Sequence, residues 1–246
     1  MTTTTALFIA AVFVLAGFVK GVIGLGLPTI AMGLLALVMP PVEAAALLLL
    51  PSFATNVWQM LAGPSLRAVA RRLWPMMLGV CLGTLAGAGL MTGGFARHGA
   101  ALLGVALVVY AISGLAAWRL AIRPAAEPTI GPLAGAITGL ITAATGVFVI
   151  PAVPYLQAIG FEREDLVQAL GLSFTVSTLA LAINVTHAGV VGVAVAGPAF
   201  AALAMAGLGM ALGQALRQRL PPATFRRWFF IGLLVLGIYL VARSVL

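Results

Sequence analysis

The stretch Ala16-Gly17-Phe18-Val19-Lys20-Gly21-Val22-Ile23-Gly24-Leu25-Gly26-Leu27-Pro28 lies inside an apolar run that extends from residue 6 to residue 40. As a single helix such a run would reach about 50 Å, well past the ~30 Å hydrocarbon core of a bilayer. It must break or turn back, and the glycines and Pro28 mark where. A second over-long run, 130–159, carries a matching stretch, Ala134-Gly135-Ala136-Ile137-Thr138-Gly139-Leu140-Ile141-Thr142-Ala143-Ala144-Thr145-Gly146, which continues to Pro151. Both stretches open A-G-x-x-x-G, with Gly17 and Gly135 118 residues apart. Each is followed by a proline, a short apolar segment, an acidic loop (Glu43; Glu162, Glu164, Asp165) and three more apolar runs. The chain is therefore read as an internal repeat: 1–123, a linker at 124–129, and 130–246. The seam is the polar stretch from Arg119 to Thr129, with Pro124 and Pro128.

Composition limits the environment. Of the 246 residues 63% are hydrophobic and 7% charged, whereas soluble domains carry about 25% charged residues. A soluble enzyme, a disordered tail and a fibrous repeat are excluded, leaving a polytopic helical membrane protein. Barrel strands are ~10 residues of alternating polarity, and the runs here (42–62, 73–92, 99–118, 165–186, 190–215 and 225–246 besides the two long ones) are unbroken. The net charge of +8 comes from residues placed singly or in small groups between apolar runs. That is the pattern of membrane anchoring, not of nucleic-acid binding. Cys81 is the single cysteine, so no intrachain disulfide forms. The first run lacks a cationic leader and is read as a retained membrane helix.

The arginines orient the halves. If each long run crossed once, the two sides would share the arginines equally. If each is a hairpin returning to its starting side, Arg67, Arg71, Arg72, Arg119, Arg123, Arg163, Arg217, Arg219, Arg226 and Arg227 fall on one side. Only Arg97 and Arg243 fall on the other. The second distribution is the asymmetry that orients membrane proteins. It gives each half an odd number of crossings. The fold expected is all-α and polytopic, with two inverted-topology repeats, each a broken, re-entrant helical hairpin plus three transmembrane helices, and the termini outside.

Lys20 is the only lysine and lies deep in the first run. A charge at that depth costs about 3 kcal/mol on insertion scales. It reads either as a counter-charge for an anion or as a snorkelling side chain. The breaks Gly24-Leu25-Gly26-Leu27-Pro28 and Thr142 to Pro151 place backbone where it must line a cavity or be buried. Helices restarting at Pro28 and Pro151 would aim free N–H groups and a positive dipole end inward. Paired broken helices in inverted halves mark the substrate site of many secondary transporters. Glycines also simply allow close packing. Small polar residues gather near both breaks: Thr29, Ser52, Thr55, Asn56 and Gln59 in one half; Thr138, Thr142, Thr145, Ser173, Thr175, Ser177, Thr178 and Asn184 in the other. Ser52, Thr55, Asn56 and Gln59 share one helix face, suited to an anion or to a neighbouring helix.

Other features read as bland. The acidic residues sit at helix starts, where they complement the dipole. His98 and His187 fall in loops without a metal partner at helix spacing. Asn184-Val185-Thr186 matches a glycosylation sequon. No nucleophile motif, phosphate loop or cofactor signature appears.

These motifs resemble the sulfite exporter TauE/SafE family, in which a G-x-x-x-G-x-x-G-x-G-G-G-x-x-x-x-P pattern opens each half. The first copy keeps Gly17, Gly21, Gly24, Gly26 and Pro28. The second keeps Gly135, Gly139, Gly146 and Pro151, with Thr142, Ala143, Ala144 and Thr145 in the usual glycine-rich stretch. The resemblance spans nearly the whole chain. It implies movement of small anions, chiefly sulfite, sulfoacetate and related species, across the bacterial inner membrane. The expected function is a secondary transporter for such an anion, not an enzyme. Lys20 would supply charge. Backbone around Gly24, Gly26, Pro28 and Thr29 and around Thr142, Thr145, Gly146 and Pro151 would supply dipole ends. Asn56, Gln59, Ser173 and Ser177 would supply neutral donors. Rocking of one half against the other would alternate access. No intramembrane carboxylate is available to carry a proton, which points to uniport or potential-driven movement. An anion channel and a membrane-embedded subunit without transport are the alternatives. The lipid bilayer is the expected surrounding, no nucleic acid, metal or cofactor is expected, and small-xxx-small faces are too common to specify a homodimer.

Overall fold

The computed structural model describes residues 2–116, 121–190, 192–219 and 221–245. Arg119, which opens the seam and enters the arginine distribution, lies outside them. Among the described residues the chain is all helical. The ten α-helices are α1 (Thr3–Ile23), α2 (Leu27–Leu35), α3 (Pro41–Leu61), α4 (Leu66–Ala86), α5 (Gly99–Ala116), α6 (Glu127–Thr145), α7 (Ala152–Ala158), α8 (Arg163–His187), α9 (Val193–Leu216) and α10 (Pro222–Val245). Six (α1, α3, α5, α8, α9 and α10) are long and apolar enough to cross a membrane. Helices α4 and α6 are nearly as long, but their first two turns hold Arg67, Arg71 and Arg72, and Glu127 and Pro128. Large apolar side chains such as Trp58, Trp74, Leu82, Phe200 and Trp228 face outward, as a lipid-facing surface requires. Residues 124–126, within the linker, form one 3₁₀ turn that leads directly into α6.

The eight long helices neighbour one another in a closed order: α1, α9, α3, α8, α4, α6, α5, α10 and back to α1. Exchanging the first five helices for the last five maps this order onto itself. The short α2 and α7 are the two extra elements. Helix α2 packs on α1, α3, α5 and α10, and α7 on α6 and α8. Nearly all of α2 is buried.

Two of these contacts are glycine seams. Gly17 and Gly21 of α1 meet Gly209 and Gly213 of α9. A Cβ on Gly17 would lie 2.1 Å from the Ala206 carbonyl oxygen, and one on Gly213 2.2 Å from that of Phe18. Gly79 and Gly83 of α4 meet Gly135 and Gly139 of α6 in the same way, a Cβ on Gly83 falling 2.1 Å from the Ala136 carbonyl oxygen. Only glycine lets backbones approach this closely. Both seams run parallel: register advances from Gly17 near Ala206 to Gly21 near Gln214, and from Gly79 near Pro132 to Gly87 near Ala143. By contrast α3 and α8 run antiparallel, with Ser52 beside Thr178 and Gly63 beside Gln168. So do α5 and α10, with Gly104 beside Gly237 and Leu240, and Gly114 beside Phe230.

Both over-long runs fold back on themselves. Helix α1 ends at Gly24 and α6 at Gly146, each a left-handed residue (φ 76° and 72°). Gly26 lies 2.9 Å, measured from its would-be Cβ, from Val19 Cγ1. A straight helix would hold residues of that spacing ~10 Å apart. Helix α2 then runs alongside α10, from Gly26 at Phe229 to Leu37, whose carbonyl accepts from Arg243 at 2.9 Å. In the second half α7 ends beside the start of α6. The Ala158 carbonyl accepts from Ile122 N–H at 2.9 Å. Arg72 donates to both the Ile159 carbonyl (2.7 Å) and the Glu127 carboxylate (2.6 and 2.8 Å).

Candidate functional site

Lys20 sits in the last turn of α1, where a cation complements the negative helix end. Its carbonyl accepts the Gly24 N–H at 2.8 Å, which closes the helix. The side chain does not snorkel. It is 4% exposed and turns inward to α3, donating to Thr55 Oγ1 at 3.0 Å and to Asn56 Oδ1.

Around this ammonium is a chain of neutral hydrogen-bonding groups. Asn56 Nδ2 donates to Ser52 Oγ at 3.1 Å and reaches Thr178 Oγ1 of α8 at 3.4 Å. Ser52 and Thr178 hydroxyls are 3.4 Å apart. All of these residues are buried. Ser52 and Thr178 lie near the middles of α3 and α8, so the chain leads from the end of α1 to the centre of the α3–α8 pair. Pro51 lies inside α3 and removes one helix N–H at this level. Thr55 returns its own hydroxyl hydrogen to the Pro51 carbonyl at 2.7 Å. No carboxylate joins the chain. The only ion pair among the described residues is Arg72–Glu127, outside this cluster.

The rest of the expected site divides. Thr29 Oγ1 donates to the Gly26 carbonyl at 3.0 Å, and Pro28 occupies the first turn of α2, so both hold the restart of the helix. Gln59 does not turn to Lys20. Its Nε2 donates to the Val167 carbonyl at the start of α8 (3.1 Å), although the would-be Cβ of Gly24 is 4.0 Å from the same nitrogen. In the second half Thr142 and Thr145 return their hydroxyl hydrogens to the Thr138 and Ile141 carbonyls, both at 2.7 Å. Pro151 caps α7 and carries no N–H to offer. Ser173 and Ser177 are fully buried and have no hydrogen-bond partner. They follow the i, i+4 spacing on α8, flanking Phe174, whose ring packs at a tilt of 56° against Phe148 of the second break, centroids 5.2 Å apart. Among the described residues no hydrogen bond ties Thr142, Thr145, Ser173 or Ser177 to the Lys20 cluster.

Thr178, one of the small polar residues gathered near the second break, completes the polar chain, and one further residue was not singled out from the sequence. Gln168 is fully buried and ties α8 to the end of α3, donating to the Met60 and Gly63 carbonyls (both 2.7 Å) and accepting from Ser65 N–H (2.9 Å). Its signal is the helical spacing of Gln168, Gly171, Thr175 and Thr178, one small-or-polar face that meets α3. Among the described residues no cluster of three His, Cys, Asp or Glu side chains comes together to hold a metal.

The arrangement is a buried lysine inside a shell of hydroxyls and amides, in a chain whose helices break twice. No curated protein and no solved structure matches the chain. A family model described as Sulfite exporter TauE/SafE matches residues 9–240, which takes in both breaks, both glycine seams and the Lys20 cluster. The chain thus belongs to the TauE/SafE sulfite exporter family, as a multi-pass membrane protein.

Proposed function

We propose that the protein is a secondary transporter moving a small anion, sulfite or an organosulfonate such as sulfoacetate, across the bacterial inner membrane. The observation that carries this reading is Lys20: a lysine 4% exposed, held only by neutral groups from α3. A buried charge without an opposite partner costs several kcal/mol, and a bound anion offsets that cost. Asn56, Thr55, Ser52 and Thr178 are the neutral groups that orient the ligand beside it. Ser173 and Ser177 add two hydroxyls on α8, and the first turn of α2 adds backbone N–H groups. Membership of the TauE/SafE family supports the anionic substrate class.

The two halves lie in opposite orientation in this reading. The antiparallel course of the equivalent pairs α3/α8 and α5/α10 and the fold-back of both broken helices support it. Alternating access follows, with one qualification. The seams α1–α9 and α4–α6 each join one half to the other, so the parts that move are these joined pairs and not the sequence halves.

The test is flux of labelled sulfite into proteoliposomes, wild type beside Lys20→Met, against a panel of unlabelled anions. Saturable flux that collapses in the variant is the expected result. Flux that rises without saturation would mean a channel, and unchanged flux in a folded Lys20→Met protein would remove Lys20 from the site.

A further inference from the structure

We infer that Lys20 carries a proton together with the anion, so that the transported pair is an anion and a proton. This rests on the anion-transport reading above and adds its coupling ion.

The argument is a census of charge around one side chain. Helix α1 has no other charged residue. The helices packed on it are α2, α9 and α10. Helices α2 and α9 contain no titratable side chain. Helix α10 contributes Arg226, Arg227, Tyr239 and Arg243, all exposed. Helix α3, which holds the Lys20 ammonium, has one acid, the exposed Glu43 in its first turn. It is 12 residues before Thr55, ~18 Å along the helix. Helix α8 enters the cluster through Thr178; its acids Glu164 and Asp165 lie in its own first turn beside Arg163, ~20 Å from Thr178 along the helix, and the exposed His187 ends it. No acid on any of these helices reaches Lys20.

That leaves two ways to balance the site. With the anion bound, the ammonium and the anion compensate each other. After the anion leaves, nothing in the protein does. A transporter must then return through its closed state with the site empty, and an unpaired ammonium sealed from water makes that step costly. Release of one proton from Nζ to the same aqueous compartment removes the charge: the ammonium becomes an amine, and the proton goes to water. On the other side Nζ takes up a proton from water as the next anion binds. The partners suit both forms. Thr55 and Asn56 are neutral and hydrogen-bond an amine as readily as an ammonium, whereas a carboxylate would hold the proton in place. For a monovalent anion each cycle then moves no net charge.

The experiment uses the full chain in proteoliposomes with a pH-sensitive dye inside. The first probe is methanesulfonate, which does not titrate near neutrality, and the second is sulfite held alkaline. Wild type is expected to acidify the lumen by one proton for each anion that enters, and methanesulfonate entry is expected to leave the membrane potential unchanged. Lys20→Arg keeps the charge but cannot release a proton. In that variant net uptake is expected to fall about 100-fold, while exchange of internal for external anion, which needs no empty return, is expected to fall far less. Anion entry without protons in the wild type would overturn the inference and leave the transport reading intact. Proton-coupled net uptake persisting in Lys20→Arg would overturn it equally. If Lys20→Arg does not fold, the wild-type stoichiometry still decides. Absence of flux with either probe, and with every other anion, would remove the transport reading and this inference with it.

Discussion

Gly24 and Gly146 end α1 and α6 in the same way. Both are left-handed, at φ 76° and 72°, and both return their N–H to the carbonyl four residues back at 2.8 Å. That fourth residue is Lys20 in one half and Thr142 in the other. From there the halves part. The first break is three residues long, 24–26, and opens beside the Lys20 cluster. The second is six residues long, 146–151, and is filled by Val147, Phe148, Val149 and Ile150, all buried. Lys20 reaches across to a second helix, while Thr142 bonds only its own helix. The shared part is the part that chain geometry dictates: a helix can stop and fold back inside a membrane only with a residue that tolerates positive φ. The differing part is chemistry. The two breaks share their left-handed turn, and only the first has a buried lysine beside it.

Four predictions test this contrast. The largest effect is expected where the halves are alike. Gly83→Leu in one seam and Gly209→Leu in the other should each destabilise the protein by about 3 kcal/mol or more, since backbone and not side chain stands in the way. Thermal unfolding in detergent reads this, and a large difference between the two would show that the seams are not equivalent. Next comes the point where the halves differ. Lys20→Met should lower anion flux about 100-fold and Thr142→Met less than about threefold. Equal losses would erase the contrast. Smaller effects belong to the caps. Gly24→Ala and Gly146→Ala should each cost about 1–2 kcal/mol for placing an L-residue in the left-handed region. Gly146 should suffer more, because its Cβ would meet Met32 Cε at 2.7 Å while that of Gly24 would only touch Gln59 Nε2 at 4.0 Å. The smallest change in stability is expected for Ser173→Ala and Ser177→Ala. Removing an unpartnered buried hydroxyl should leave stability unchanged or raise it by up to about 1 kcal/mol. Competition assays on the same variants should show weaker anion binding, and unchanged affinity would remove the two serines from the site.

Much of the fold was legible because it follows from length. A run such as 6–40 cannot be one helix in a bilayer, and Gly24-Leu25-Gly26 and Gly146 stood out as the residues able to turn it. The partners of the seams were not legible. Gly17-x-x-x-Gly21 announces a close approach, but α9 and a neighbouring helix such as α10 are equally apolar along the chain, and only three-dimensional packing selects Gly209 and Gly213. The polar face Ser52, Thr55, Asn56, Gln59 was visible from its spacing, and so was the depth of Lys20. How that face divides was not. Thr55 and Asn56 meet Lys20, while Gln59, one turn on, is drawn to the Val167 carbonyl by the crossing of α3 and α8. Thr178 entered the cluster from 122 residues away, a distance at which sequence spacing carries no information. The threonines of the second break looked like ligand donors because a hydroxyl's partner, here the carbonyl one turn back, depends on rotamers and not on residue type.

The seam between α1 and α9 also sets a timetable for synthesis. Gly17 and Gly209 are 192 residues apart, so α1 is made long before the helix it packs against. Until α9 arrives, α1 carries its bare glycine face into the membrane without the surface that covers it. The other seam closes early, since Gly79 and Pro132 are only 53 residues apart. Of the two seams, α4–α6 is therefore complete in the growing chain well before α1–α9. A truncation that removes α9 and α10 should leave α4 and α6 joined and α1 exposed to membrane quality control.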